Sequence, residues 1–387
     1  MAKSLDSGTE TPYLKKVHLK DYRSIRDAEI IFQPGINIII GPNGAGKTNF
    51  LGLTSELIVP YFLPANGEGC ELIIASKQEF KISFGHRFIK KDKNAFDRHG
   101  LSARERIPIT VEVDSKKATA DYISDAFAEI QADIPYYWPV AIWHGIVINN
   151  TPVISINSDL KVSSSGAAEF EHYSSLDNPA SSVLADELLS SLGRLFALKS
   201  YSISSISLKK AKKAVENIVA EFIKFLDNYL FLYSPVNSTR LSETFQLYIN
   251  KDQGEIIIKG LVLEYQINNN WLPFSALSDG TKRIVYVISQ LISPILTSNP
   301  NKKTGEFIPI KFNKIFFIEE PELGVHHSQL HKLLNLIREV SCEHQIILTT
   351  HAPQVLDMLR ADELDRITIC SLDPEKGTQF HKLTEEK

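Results

Sequence analysis

The 387-residue sequence predicts an α/β fold, a mixed sheet flanked by helices, on three observations. The β-branched run Ile36-Asn37-Ile38-Ile39-Ile40 passes through a glycine-rich loop into a helical segment. Two later apolar strands, Ile315 to Ile318 and Gln345 to Thr349, each precede a helical pattern, and strands that alternate with helices build sheets covered by helices. Near the start, Leu14 to Phe32 alternates apolar and polar residues like a short meander of strands, closed by the Pro34-Gly35 turn.

The remaining elements follow in order. A strand is expected at Ile107 to Val113, an amphipathic helix over Lys117 to Ile130, and a mobile surface loop over the Ser-rich stretch from Asn157 to Ser182. A long helix from Ser207 to Tyr233 begins with Lys209, Lys210, Lys212 and Lys213 and grows apolar toward its end. Strands at Thr244 to Ile249, Glu255 to Ile258 and Leu261 to Ile267 lead to a helix over Thr281 to Leu296 and a polar loop SNPNKKTGE. A helix over Ser328 to Val340, another after Pro353 and a last strand near Ile367 to Ser371 complete the pattern.

Composition narrows the class. Hydrophobic residues at 43% and charged residues at 23% are those of a globular protein, which excludes wholesale disorder, collagen and coiled-coil rods. Lys plus Arg is 42 against Asp plus Glu 46, a net charge of -4, so a generally basic nucleic-acid binder is not indicated, although a local basic face is compatible with it. Cys70, Cys342 and Cys370 are widely spaced and form neither a CxxC pair nor a zinc pattern, which fits a reducing, cytoplasmic setting. The N-terminus lacks an apolar core of the signal-peptide kind, and the apolar stretch Ile284 to Leu296 is too short to span a bilayer.

Four segments carry chemistry. Gly41-Pro42-Asn43-Gly44-Ala45-Gly46-Lys47-Thr48 matches GxxxxGK[ST] between a strand and a helix, where backbone N–H groups cradle phosphates, Lys47 reaches their oxygens and Thr48 offers its hydroxyl to Mg²⁺. The run IFFIEEPE ends an apolar strand in two carboxylates, Glu319 placed to hold a metal and Glu320 to polarise a water. Leu277-Ser278-Asp279-Gly280-Thr281 opens a helix, where Ser278 and Gly280 suit either a phosphate receptor or an ordinary N-cap. His351, at the tip of the strand IILTTH, suits either a contact to phosphate or water or the closing of a core strand.

As a set these segments resemble the ABC-type ATPase superfamily, with Walker A at Gly41 to Thr48, signature at Leu277 to Thr281, Walker B at Ile315 to Glu320 and a switch histidine at His351. Within it the chain is similar to RecF/SMC-like and OLD-type AAA ATPases, which share the Tyr22-Arg23 pair, the LSDGTKR signature, the EEPE Walker B and the THAP switch, over about residues 14–85 and 260–371. Glu319 stands where most relatives have Asp, and His327 where the loop after Walker B usually has Pro.

The resemblance implies a P-loop ATPase head in three stretches: 1–85 with Walker A, an inserted mixed α/β and helical region 86–260, and 261–387 with the signature, Walker B and switch histidine. It implies ATP and Mg²⁺ as ligands. Lys47, Glu320 and His351 would be catalytic, Thr48 and Glu319 would hold the metal, and Arg23, Asn49, Ser278, Asp279 and Gly280 would join the loop in contacting nucleotide. Arg23 is equally compatible with a plain surface arginine, Gln78 is the best candidate for the Q-loop glutamine, and the tandem His326-His327 suits a solvated turn better than a metal site.

Two functions compete on these grounds. Short of a Toprim nuclease after His351, the chain resembles the ATPase halves of two-gene bacterial anti-phage systems of the PARIS, Septu and retron-associated types, which implies a head-to-tail ATP-sandwich dimer acting on a separate effector. The alternative is a RecF-like DNA-binding repair ATPase, for which the four lysines from Lys209 to Lys213 would meet a phosphate backbone.

Overall fold

The computed structural model describes residues 12–58, 66–76, 78–91, 103–130, 140–143, 154–156, 162–164, 208–250, 255–259, 262–292, 297–300, 307–310 and 314–383. The chain divides into two compact units, one made of Met1–His144, Phe312–Glu320 and Arg338–Lys387, the other of Gly145–Lys311 and Pro321–Ile337.

The first unit is built on a twelve-stranded mixed sheet. Its strands are β1 (Tyr13–Tyr22), β2 (Ile25–Ile31), β3 (Ile36–Ile40), β4 (Glu71–Ala75), β5 (Glu79–Phe84), β6 (Ile109–Val113), β7 (Lys116–Ala120), β8 (Val140–Trp143), β9 (Lys314–Glu319), β10 (Gln345–Thr350), β11 (Ile367–Asp373) and β12 (Gly377–Lys382). They lie in the order β8-β9-β10-β3-β11-β12-β2-β1-β4-β5-β6-β7. The first five pair in parallel and the rest antiparallel, so the P-loop strand β3 sits between β10 and β11.

Burial explains the division of labour. The first four residues of β3 and all of β10 are buried, as expected for parallel strands covered on both faces, whereas β2 and β6 alternate buried and open positions. Helix α1 (Lys47–Ile58) buries Phe50, Leu51, Leu53 and Leu57, and Phe50 lies 6.0 Å from the ring of Phe32 and 5.1 Å from that of Phe380. Each such side chain contributes about 1.5–3 kcal/mol through removal from water, which fastens the helix that follows the P-loop to the sheet.

Five expectations are corrected. The amphipathic helix over Lys117 to Ile130 is strand β7, whose Ala118 and Ala120 face β6, followed by the shorter helix α2 (Ile123–Glu129). Alternating small residues carry little periodic signal, so the sequence does not separate this strand from the helix that follows. The segment after Pro353 forms two short 3-10 turns, Pro353–Met358 and Ala361–Arg366, in place of an α-helix. Within the Ser-rich stretch, Val162–Ser164 is a strand, and the rest of Asn157 to Ser182 lies outside the described residues. The polar loop SNPNKKTGE opens in the strand Thr297–Pro300, and its residues 301–306 lie outside the described residues. Finally, the chain does not end its sheet at Ser371. Asp373 accepts backbone hydrogen bonds from Glu375 and Lys376, both 2.8 Å, and Gly377 takes φ +76°, so DPEKG turns the chain into β12. Those two backbone donors, Lys376 first, hold the Asp373 carboxyl below its ordinary pKa.

The second unit contains helices α3 (Leu208–Tyr233) and α4 (Asp279–Ile292) and most of α5 (His327–Val340). The first two agree with the expected helices to within a few residues, and residues 293–296 of the second expected helix lie outside the described residues. Asp227 on α3 accepts hydrogen bonds from Ser238 and Thr239 at 2.9 and 2.7 Å, tying the helix to the three-stranded sheet of Ser238–Leu241, Leu263–Ile267 and Asn270–Pro273. Tyr265, fully buried with its ring 6.0 Å from that of Phe274, has its hydroxyl pKa driven upward by desolvation. Among the described residues no helix is long and apolar enough to cross a membrane.

Candidate functional site

The site in the first unit forms where β3 ends. The Gly41 N–H donates to the Thr350 carbonyl at 3.2 Å, so the loop leaves the sheet beside the tip of β10. Two glycines are required by close approach. A Cβ on Gly41 would stand 2.1 Å from the Cys370 carbonyl oxygen, and one on Gly46, at φ +105°, would stand 2.2 Å from the Thr378 hydroxyl. The β11 and β12 hairpin is therefore the floor of the loop, and the Cys370 thiol, pushed up to about 12 by burial, donates to the Ala45 carbonyl at 3.5 Å.

Lys47 is the first residue of α1 and is only 5% exposed. Its ammonium donates to the Gly41 and Pro42 carbonyls at 2.9 and 3.0 Å and lies 3.6 Å from Glu320 Oε1. No acidic residue occupies the first turn of α1, so the positive end of the helix and the lysine both favour an anion here. The Thr48 hydroxyl donates to Glu319 Oε1 across the strand tips. A hydroxyl and a carboxylate in contact are the oxygen donor set of a hard divalent cation, so these two residues fit Mg²⁺ despite the extra methylene of Glu319.

Glu320 follows β9 with its N–H donating to the Thr349 carbonyl at 2.9 Å. Its φ of +43° is rare for a residue with a Cβ, and such strain persists where surrounding structure fixes it. The turn aims Oε1 between the Lys47 ammonium and His351 Nδ1, 3.5 Å away. A carboxylate held beside a cation and an imidazole, at the wall of a cavity, can accept a proton from water. That cavity, about 400 Å³, is lined by Asn43, Gly44, Gly46, Lys47, Thr48, Glu319 and Glu320, together with Asn49 and Ser24.

The sequence therefore names most of this site, and the fold brings those residues together. Arg23 sits on the two-residue turn between β1 and β2 at φ +52°, its guanidinium donating to Asn49 Oδ1 at 3.1 Å and lying 5.2 Å from the Tyr22 ring centre. Gln78 is not drawn in. It stands on the turn between β4 and β5, donates to Asp114 at 3.1 Å and does not line the cavity. Ser24 and Thr378 stand outside the sequence motifs, the first as the plain neighbour of Arg23 and the second on a strand whose one sequence signal is the DPEKG turn before β12.

The second unit carries the remaining motif. Ser278 caps α4, its hydroxyl accepting the Thr281 N–H at 3.3 Å and sharing a 2.9 Å hydrogen bond with the Thr281 hydroxyl. Ser278 and Asp279 are exposed, while Gly280 is buried against the turn of residues 321–326: a Cβ on it would stand 2.2 Å from the Gly324 carbonyl. In that turn His326 Nδ1 lies 2.9 Å from the Ser328 hydroxyl, a cap for α5, and His327 is its first helical residue.

Comparison with known proteins gives the family of the chain. Residues 159–357, just over half of the chain, match the family described as "AAA domain, putative AbiEii toxin, Type IV TA system", and residues 16–52 match a second AAA domain family. The Septu protein PtuA of Bacillus thuringiensis is 21% identical over 361 residues, covering 91% of this chain and 74% of that protein. The DNA replication and repair protein RecF of Erwinia tasmaniensis is 30% identical over 105 residues. That match spans 27% of this chain and only about a quarter, 24%, of the RecF relative. An Smc head bound to the C-winged helix domain of ScpA aligns over 97% of this chain and 98% of that structure, at 14% identity and a TM-score of 0.49.

Proposed function

The chain belongs to the AAA-domain family of P-loop ATPases, and from that premise we propose that it binds and hydrolyses ATP with Mg²⁺, dimerises head to tail around the nucleotide, and so controls a separate effector in anti-phage defence. The observation that carries the reading is the convergence of Lys47, Thr48, Glu319 and Glu320 on the cavity at the P-loop, with His351 against Glu320 at 3.5 Å.

Each residue then has a task. The loop N–H groups and the Lys47 ammonium neutralise phosphate charge, the lysine exchanging its two carbonyl partners and Glu320 for phosphate oxygens. Thr48 and Glu319 would hold Mg²⁺, which when bound would supply positive charge against the phosphates. Glu320 orients the attacking water and accepts its proton, while His351 fixes the carboxylate from the other side. Ser278 and Gly280 of one copy complete the phosphate cage of the other, as in the relatives the sequence resembles.

The likeness to PtuA along 91% of the chain supports the defence role. Light scattering and phosphate release measured together test the proposal: Mg²⁺ and ATP should double the molar mass and phosphate should appear. A chain that hydrolyses ATP as a monomer at every concentration would remove the dimer from the mechanism.

The shorter likeness to RecF favours a second reading, DNA binding through the lysines at the start of α3. Lys213 is exposed, and the side chains of Lys209, Lys210 and Lys212 lie outside the described residues. With all four changed to Glu, the defence reading expects unchanged duplex-DNA affinity across a salt series, and a DNA clamp expects weaker binding with a shallower salt slope.

A further inference from the structure

Ser24 has a role that none of the motifs assigns. Ser24 lines the cavity of the P-loop, and three hydrogen bonds from two neighbours fix it. Thr378, fully buried on β12, donates its hydroxyl hydrogen to Ser24 Oγ at 2.9 Å, and its backbone N–H donates to the Ser24 carbonyl at 2.8 Å. Asn49, two residues beyond Lys47, donates Nδ2–H to the same Ser24 Oγ at 2.9 Å. The orientation of that amide is not arbitrary, because Arg23 has only hydrogens to offer and takes the Asn49 oxygen at 3.1 Å.

The arithmetic of a hydroxyl decides the consequence. Ser24 Oγ has two lone pairs and one hydrogen, and the two donors occupy both lone pairs. It can therefore act only as a donor, and no acceptor for its hydrogen stands among the described residues. A hydroxyl stripped of its acceptor capacity at the wall of a cavity holding Lys47 and a helix N-terminus selects for an anion. Ser24 also sits on a turn whose first residue, Arg23, takes a left-handed φ of +52° where glycine is favoured, so the turn is held at a conformational cost.

We propose that Ser24 donates a hydrogen bond to a phosphate oxygen of the bound nucleoside triphosphate, and that Thr378 and Asn49 are positioning residues that force it to be a donor. This inference rests on the nucleotide reading of the cavity. It gives the last hairpin of the sheet a part in nucleotide affinity, in addition to its part as the floor of the loop.

The test is a double-mutant cycle on the full chain, with dissociation constants for a fluorescent non-hydrolysable ATP analogue and Mg²⁺. Ser24→Ala should weaken binding about tenfold, the loss of one charge-assisted hydrogen bond. Thr378→Val, which keeps the shape against Gly46 and removes the hydroxyl, should weaken binding about threefold to fivefold in the wild-type background, with Thr378→Ser restoring affinity. In the Ser24→Ala background Thr378→Val should have no further effect, an outcome that simple loosening of the hairpin would not produce. Wild-type affinity for Ser24→Ala, or an equal effect of Thr378→Val in both backgrounds, would overturn the assignment. Wild-type binding that Lys47→Ala strongly weakens is the reference: its absence would overturn the nucleotide reading itself.

Discussion

Lys47→Ala is expected to raise the dissociation constant for ATP by roughly 100-fold to 1,000-fold. The magnitude follows from where the ammonium sits. It is 5% exposed and makes two hydrogen bonds to loop carbonyls and an ion-pair contact with Glu320, so it is desolvated before nucleotide arrives and needs little reorganisation to take phosphate oxygens in their place. Removing it leaves Glu320 at the site without its cation, which adds repulsion toward the triphosphate to the lost attraction. Isothermal titration with a non-hydrolysable analogue reads the effect, and thermal unfolding without nucleotide separates it from loss of fold. An affinity within threefold of wild type would show that the phosphates lie elsewhere.

The second large effect is on turnover. Glu320→Gln should leave nucleotide affinity within a few-fold of wild type and lower the hydrolysis rate by about 10²–10⁴, the usual worth of a positioned general base. The amide keeps the size of the carboxylate and the same left-handed backbone, so the substitution adds no strain beyond the φ of +43° already present. What it loses is the ability to take a proton between Lys47 and His351. Because hydrolysis opens the proposed dimer, the variant should accumulate the doubled mass in Mg²⁺ and ATP. Single-turnover phosphate release and light scattering check both halves, and wild-type turnover in this variant would move the base to another residue.

The parts of the site that could be read from sequence are those whose chemistry is local in the chain. The P-loop, the IFFIEE strand and the THAP strand tip each carry their residue types within a few positions, and β3, β9 and β10 are apolar enough to be found as buried strands. What stayed hidden is non-local. Ser24 acquires its role from Thr378, 354 positions away, and no periodicity in either segment reports the other. The helix expected over Lys117 to Ile130 failed for a related reason: Lys116–Ala120 is a strand because β6 pairs with it, and tertiary pairing outweighs a weak helical pattern. Gln78 looked apt by position alone, and its Asp114 partner lies on a different turn.

The placement of β3 has a consequence for synthesis on the ribosome. Residues 36–40 are translated well before both of their sheet neighbours, Gln345–Thr350 and Ile367–Asp373. At about 5–20 residues per second, the P-loop strand waits roughly 15–60 s before it acquires either edge partner. The Thr350 carbonyl that receives Gly41 and the Cys370 and Thr378 surfaces that floor the loop arrive with those same late neighbours. A nascent or prematurely terminated chain therefore carries the whole GPNGAGKT sequence without the means to shape it, and nucleotide competence arrives only with the completed sheet.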